Sequence, residues 1–95
     1  MLKWNHGSKI ALLREVFELT RNRLAQRLVQ LRQEKGLTQG MLAKHLDVSH
    51  ASVVSWECGR TDPSLFMVEC IAFFYGCSLD YLCGITDVRG VGGAA

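Results

Sequence analysis

Four cysteines, three histidines and nine carboxylates are the side chains of this 95-residue chain that could ligate a metal or carry acid–base chemistry. Cys58, Cys70, Cys77 and Cys83 form no Cys-x-x-Cys pair, and their spacing matches no zinc pattern. They read as buried thiols behaving as small hydrophobes, with an exposed, redox-responsive thiol as the alternative at Cys58. No paired-carboxylate site, phosphate loop or nucleophile–base arrangement stands out. The expectation is a non-enzyme that uses neither metal nor cofactor. The chemistry that remains is non-covalent recognition, and it concentrates between Ser49 and Cys58. On a helical wheel Val53 and Trp56 point inward, Ala51, Val54, Ser55 and Cys58 point outward, and His50 and Ser52 lie on the flanks. Small or polar outward side chains allow such a helix to approach a hydrogen-bonding surface closely.

The elements that must position this stretch are helical. A hydrophobic share of 48% supports a real core, and a single Pro with few turn clusters disfavours a many-stranded sheet. The length allows one domain, and so small a domain benefits from a partner chain. No apolar run approaches a membrane span. Met1–Gly7, carrying Lys3, Trp4 and His6, lacks the apolar stretch of a signal peptide, so a cytoplasmic protein with no membrane partner is expected. The net charge is only +2, but residues 1–35 hold eight basic and three acidic groups, whereas residues 36–95 hold three basic and six acidic ones. A basic half suggests an anionic partner, or merely solvated helix faces.

Turn signals divide the chain. Ser8 is a candidate N-cap for an amphipathic helix with Ile10, Leu12, Leu13, Val16, Phe17 and Leu19 on one half of the wheel, ending or bending near Thr20–Asn22. A second helix carries Leu24, Leu28 and Leu31 and stops at Gly36. Thr38 caps a third, with Leu42, Ala43 and Leu46 inward, before a tight turn at Asp47-Val48. Ser49 caps a fourth that ends at Gly59. A fifth runs from about Leu65 to Tyr75, and Ser78 caps a last short one closed by Gly84. The expected organisation is an N-terminal extension over 1–22, a core domain over 23–84 and a flexible tail over 85–95.

Two short helices joined by a three- or four-residue turn, here Thr38–Leu46 and Ser49–Cys58, make a helix-turn-helix whose second helix suits the DNA major groove. The stretch from Leu31 to Gly84 also resembles the Cro and phage-repressor (Xre) family. The resemblance is carried by Leu31-Arg32-x-x-x-Gly36-Leu37-Thr38-Gln39, Leu42-Ala43-x-x-Leu46-x-Val48-Ser49, Ser52-Val53-x-x-Trp56-Glu57-x-Gly59-Arg60-x-x-Pro63-Ser64 and Ile71-Ala72-x-x-x-Gly76-x-Ser78-Leu79-Asp80-Tyr81-Leu82. It implies an all-α, lambda-repressor-like bundle of about five short helices, here with an added N-terminal amphipathic helix. It implies double-stranded DNA as partner, with Gln39 on a phosphate, His50, Ala51, Ser52, Val54 and Ser55 at base-reading positions, Cys58 and Arg60 near the backbone, and an Arg32–Glu57 ion pair. The residues themselves leave Gln39, His50 and Arg60 open to a plain solvated reading. The chain departs from the family at Asp47, where Gly is usual but Asp tolerates the left-handed region, and at Gly40. It also has no Lys or Arg between 49 and 58, so the commonest contact to guanine is missing from that helix.

The functional expectation is a sequence-specific repressor or regulator. The alternative is an antitoxin-like module whose main partner is another protein, a toxin or an antirepressor. Between Leu65 and Tyr75 only Glu69 is charged, and Phe66, Cys70 and Phe73 lie nearly opposite the face that the family packs inward. A helix apolar all round must be covered. The spare apolar surface is the row Ile10, Leu13 and Phe17 with Val16 and Leu19, so the two helices are expected to bury each other, within one chain or across a homodimer.

Overall fold

Four short polar residues set where the later helices begin. The computed structural model describes residues 6–90, with side chains from residue 9 onward. In it Thr38, Ser49, Ser64 and Ser78 each adopt extended backbone, and each hydroxyl accepts a hydrogen bond from the backbone N–H three residues on, at Met41, Ser52, Met67 and Tyr81. Each bond satisfies one of the N–H groups that a helix start leaves unpaired. These caps open α2 (Gln39–Leu46), α3 (His50–Glu57), α4 (Leu65–Tyr75) and α5 (Leu79–Leu82), and α1 (His6–Glu34) precedes them. The described residues are all-helical.

The expected boundary near Thr20–Asn22 is absent. α1 runs unbroken through 29 residues, about 43 Å at 1.5 Å per residue. Thr20, Arg21 and Asn22 are polar but none lacks an N–H or needs an unusual dihedral, so the backbone ladder continues through them. The Thr20 hydroxyl donates to the Val16 carbonyl at 3.0 Å instead of competing with the ladder. Ser8 consequently lies inside the helix and not at its start, and the extension expected over 1–22 is, from residue 6 onward, continuous with the domain.

Leu24, Leu28 and Leu31 on the second half of α1 enter a core with Val68, Ile71, Ala72, Cys77, Tyr81 and Leu82. Leu42, Ala43 and Val53 form a second cluster under the α2–α3 pair. Leu46, Trp56 and Tyr75 pack against both clusters and join them. Trp56 is therefore a core residue. Between α2 and α3 the turn passes through Asp47, at φ 57° and ψ 47°, and the Val48 N–H closes on the Ala43 carbonyl at 3.0 Å. Asp thus fills a left-handed position that usually favours Gly. Gly84 has a different constraint: its φ is 78°, and a Cβ there would meet the Arg23 side chain at 2.6 Å.

Two expectations are corrected and a third is narrowed to one of its alternatives. Of the four cysteines only Cys77 is buried; Cys70 and Cys83 are half-buried and Cys58 is exposed. Burial pushes the Cys77 and Cys83 thiols up. The tail is not free from residue 85. The Ile85 N–H donates to the Asp80 carbonyl, the Ser78 N–H to the Arg89 carbonyl, and Asp87 pairs with Arg27 at 2.8 Å. Residues 91–95 lie outside the described residues. Finally, α1 and α4 do not cover each other within the chain. Ile10, Leu13 and Phe17 are 63, 51 and 69% exposed, and Phe66 and Phe73 are 71 and 61% exposed.

Tyr75 ends α4 with its Oη buried and without a hydrogen-bond partner among the described residues. Burial, reinforced by nearby Glu57, pushes its phenol up to about 12 from an ordinary 10.0. The unfolded chain releases this proton first, so stability falls as pH rises between those two values. Tyr75→Phe should remove that decline, on the order of 2 kcal/mol in wild type. It should also raise stability at pH 7 by about 1 kcal/mol, because an unsatisfied hydroxyl is removed. Urea unfolding of both proteins at pH 7, 10 and 11.5 checks both effects.

Candidate nucleic-acid interface

α2, the Asp47–Ser49 turn and α3 form two short helices in close contact. α3 is seated by Val53, which is 1% exposed, and by Trp56. Its opposite surface carries His50 and Ala51, both exposed, with Ser52, Val54 and Ser55 half-buried. No Lys, Arg, Asp or Glu lies on that surface.

The one carboxylate of α3 is turned inward. Glu57, whose side chain is 4% exposed, receives Arg32 of α1 in a two-bond pair, Nε–Oε2 at 2.7 Å and Nη2–Oε1 at 3.0 Å. Arg32 Nη1 also donates to the Leu37 carbonyl at 2.9 Å, and Gln39 Nε2 of α2 donates to Glu57 Oε1 at 3.1 Å. The hydrogen bonds to Glu57 hold the Arg32 guanidinium above its ordinary range. Three helices therefore meet on one carboxylate. The pairing neutralises the charge that would otherwise sit at the end of α3. It also fixes Gln39 at the first turn of α2, with its second amide hydrogen unspent.

Several hydroxyls on α3 are already engaged. Ser52 Oγ lies 2.8 Å from the Ser49 capping hydroxyl, and Ser55 Oγ lies 2.6 Å from Thr61 Oγ1. The Ser55 carbonyl accepts from the Arg60 N–H at 3.0 Å, folding the loop after α3 back on the helix. Arg60 itself is exposed there, and Lys44 is exposed on α2. The next link, Arg21 with Asp62 at 2.8 and 3.1 Å, ties α1 to this loop. Sequence reasoning assigned Thr61 and Asp62 no functional role. Their partners are six and 41 positions away, and no local pattern announces such contacts. Ile10, Leu13, Phe17, Phe66, Cys70 and Phe73 take no part in this surface.

A family model described as helix-turn-helix matches residues 28–82, more than half of the chain. The chain belongs to the Cro/C1-type helix-turn-helix family. This is a family of DNA-binding transcription regulators. Among similar proteins is the HTH-type transcriptional activator BcrR of Enterococcus faecalis, 39% identical over 57 residues that make up 60% of this chain and 28% of that protein. Another is the uncharacterized HTH-type transcriptional regulator YobD of Bacillus subtilis (strain 168), 36% identical over 62 residues, 65% of this chain and 55% of that protein. The chain thus corresponds to about a quarter and about half of these relatives' lengths. No solved structure matches it significantly. In this helix-turn-helix domain no helix among the described residues is long and apolar enough to cross a membrane.

Arg32→Met would leave Glu57 buried without its cation and should destabilise the domain by on the order of 3 kcal/mol. Arg32→Met combined with Glu57→Leu should recover most of that loss, since replacing both members of a buried pair by apolar groups is far milder than breaking it. Ser49→Ala removes only the cap of α3 and should cost about 1 kcal/mol. Chemical denaturation midpoints of the four proteins decide the order.

Proposed function

We propose that the chain binds double-stranded DNA sequence-specifically, with α3 in the major groove, and regulates transcription as a dimeric repressor by occupying its site. The observation that carries this reading is the Arg32–Glu57–Gln39 cluster. It removes the only carboxylate of α3 from the approach surface and sets Gln39, with an unspent N–H, at the start of α2. In this arrangement Gln39 and Arg60 meet phosphates, which position the protein without specifying sequence. His50, Ala51 and Val54 supply the reading surface, with Ser52 and Ser55 adding one lone pair or proton each beyond their internal bonds. His50 is the polar side chain on α3 with no internal hydrogen bond among the described residues. Without Arg or Lys on α3, selectivity rests on His50, on apolar contact with thymine methyl groups by Ala51 and Val54, and on DNA shape. Gly40 leaves the first turn of α2 open, since a Cβ there would meet only the Thr38 hydroxyl at 4.0 Å. A phosphate can approach the free N–H groups at that helix start.

A dimer places two copies of α3 on half-sites about 34 Å apart. Recovery of bound sequences from a random duplex library should return a site with two-fold symmetric halves. Affinity for it should fall steeply with salt. Gln39→Ala and Arg60→Ala should weaken binding by a similar factor on all sequences and each flatten the logarithmic salt slope by about 1. His50→Ala should instead change which sequences are recovered. A purified chain with no duplex binding at 50 mM salt, about where phosphate contacts count most, would overturn the reading.

A further inference from the structure

α1 carries apolar residues on one face in both of its halves, and only the second half is used. Ile10, Leu13 and Phe17 follow the three- and four-residue spacing of that face, which passes Thr20 and Arg21 and resumes at Leu24, Leu28 and Leu31. From Leu24 onward the row is core; at Ile10, Leu13 and Phe17 it faces solvent. The second uncovered surface is a groove of about 850 Å³ between α4 and α5, lined by Phe66, Cys70, Phe73, Cys77 and Leu79. We infer that, in the dimer read under Proposed function, the first half of α1 of each protomer docks its Ile10–Leu13–Phe17 row into the α4–α5 groove of the other.

Charge and area both select a second copy as occupant. Lys9 and Arg14 flank the exposed row on its two sides, while Glu18 lies beyond Arg14 and Glu15 on the far side of the helix. The groove wall carries Glu69 and Asp80. Neither has an ion-pair partner among the described residues, and nor do Lys9 and Arg14. A helical segment of residues 6–20 is about 22 Å long and 10–12 Å wide, enough to bury on the order of 400 Å² on each side of one docking. A two-fold exchange makes two dockings, so each protomer buries on the order of 800 Å², the size of a standard specific interface. The same patch on both copies closes the assembly at two. Within one chain the docking does not occur, because the unbroken α1 carries its first half away from α4.

Cys70 makes the arrangement testable in the full-length chain. In a Cys58→Ser background, which removes the exposed thiol, Phe17→Cys or Arg14→Cys places a thiol on the docking face. Arg14→Cys leaves the apolar row intact. Mild copper-phenanthroline oxidation should give a disulfide-linked dimer whose peptide map joins position 14 or 17 to Cys70, and Cys70→Ser should abolish it. Phe17→Ser, with unchanged helical circular dichroism, should raise the dimer dissociation constant in sedimentation by at least about a hundredfold, because each dimer buries that residue twice. A disulfide between the two engineered thiols means that the arms pair with each other, and one found within a single chain means that the arm folds back; either overturns the docking. A dimer linked elsewhere overturns the docking but leaves the two-half-site reading standing. A wild-type chain that sediments as a monomer at tens of micromolar overturns both. Loss of duplex binding with the Cys70 cross-link intact overturns only the DNA reading.

Discussion

One buried carboxylate organises the domain. Glu57 sits at the end of α3, and taking it out of water is costly unless its oxygens are matched. Arg32 matches both, and it can do so only if α1, 25 residues away in sequence, lies against the end of α3 at the right height. Its third contact, to the Leu37 carbonyl, fixes the loop leading into α2, and Gln39 adds a bond from α2 itself. A helix pair packed only by Val53, Leu42 and Trp56 could slide by a fraction of a turn at small cost, because apolar contact has little directionality. The bonds at Glu57 are directional and remove that freedom.

The same economy of charge runs through the rest of the molecule. The sequence divides into a basic first third and an acidic remainder, which reads either as a surface for an anionic partner or as solvated helix faces. The structure uses much of the imbalance differently. Arg21, Arg27 and Arg32 each meet a carboxylate from the later part of the chain, Asp62, Asp87 and Glu57. Arg89, one of the few late cations, returns to Glu34 and with Gln30 holds that carboxyl below its ordinary range. Arg27 also lies over the Tyr81 ring at 3.8 Å. Much of the asymmetry is therefore a clamp between α1 and the segments that follow it. The cations without an ion pair among the described residues, Lys9, Arg14, Arg23, Lys35, Lys44 and Arg60, are spread over α1, the turn after it, α2 and the loop after α3 and form no single basic face on α3.

The fold was legible where the signal was local. Thr38, Ser49 and Ser78 announced their helices because a short polar residue before an apolar-periodic run does a specific job for the first N–H groups. Asp47 was legible as a left-handed turn for a similar reason. The missing boundary in α1 shows the limit. Thr20-Arg21-Asn22 looks like a stop because it is polar, yet polarity there reflects solvent, and without Gly or Pro nothing interrupts the ladder. The anchoring of residues 85–90 was invisible because its partners, Arg27, Glu34, Ser78 and Asp80, meet it through backbone carbonyls and through two ion pairs whose members lie 60 and 55 residues apart. For the interface, spacing alone gave the inward Val53 and Trp56 and the small outward side chains of α3. The contact between Arg32 and Glu57 has no periodic signature, and only the family motif connects the two positions. The internal engagement of Ser52 and Ser55 depends on rotamers and loop geometry that no pattern encodes.

α1 gives the molecule a property that separate helices would lack. Its last turns hold α3 through Arg32, and its first turns carry the exposed row that, in the proposed docking, meets the second protomer. No Gly, Pro or unpaired turn lies between these two functions, so the helix transmits position as a rod of about 43 Å. In the exchanged dimer the placement of one α3 relative to the other is then set by two rods and two grooves, with no linker whose entropy must be overcome on binding. A preset spacing favours one half-site separation and disfavours its neighbours, because an altered separation must bend either DNA or α1. In that proposed dimer, selectivity that α3 does not obtain from charged base contacts would be recovered from geometry: the distance between two modest readings would become part of what is read.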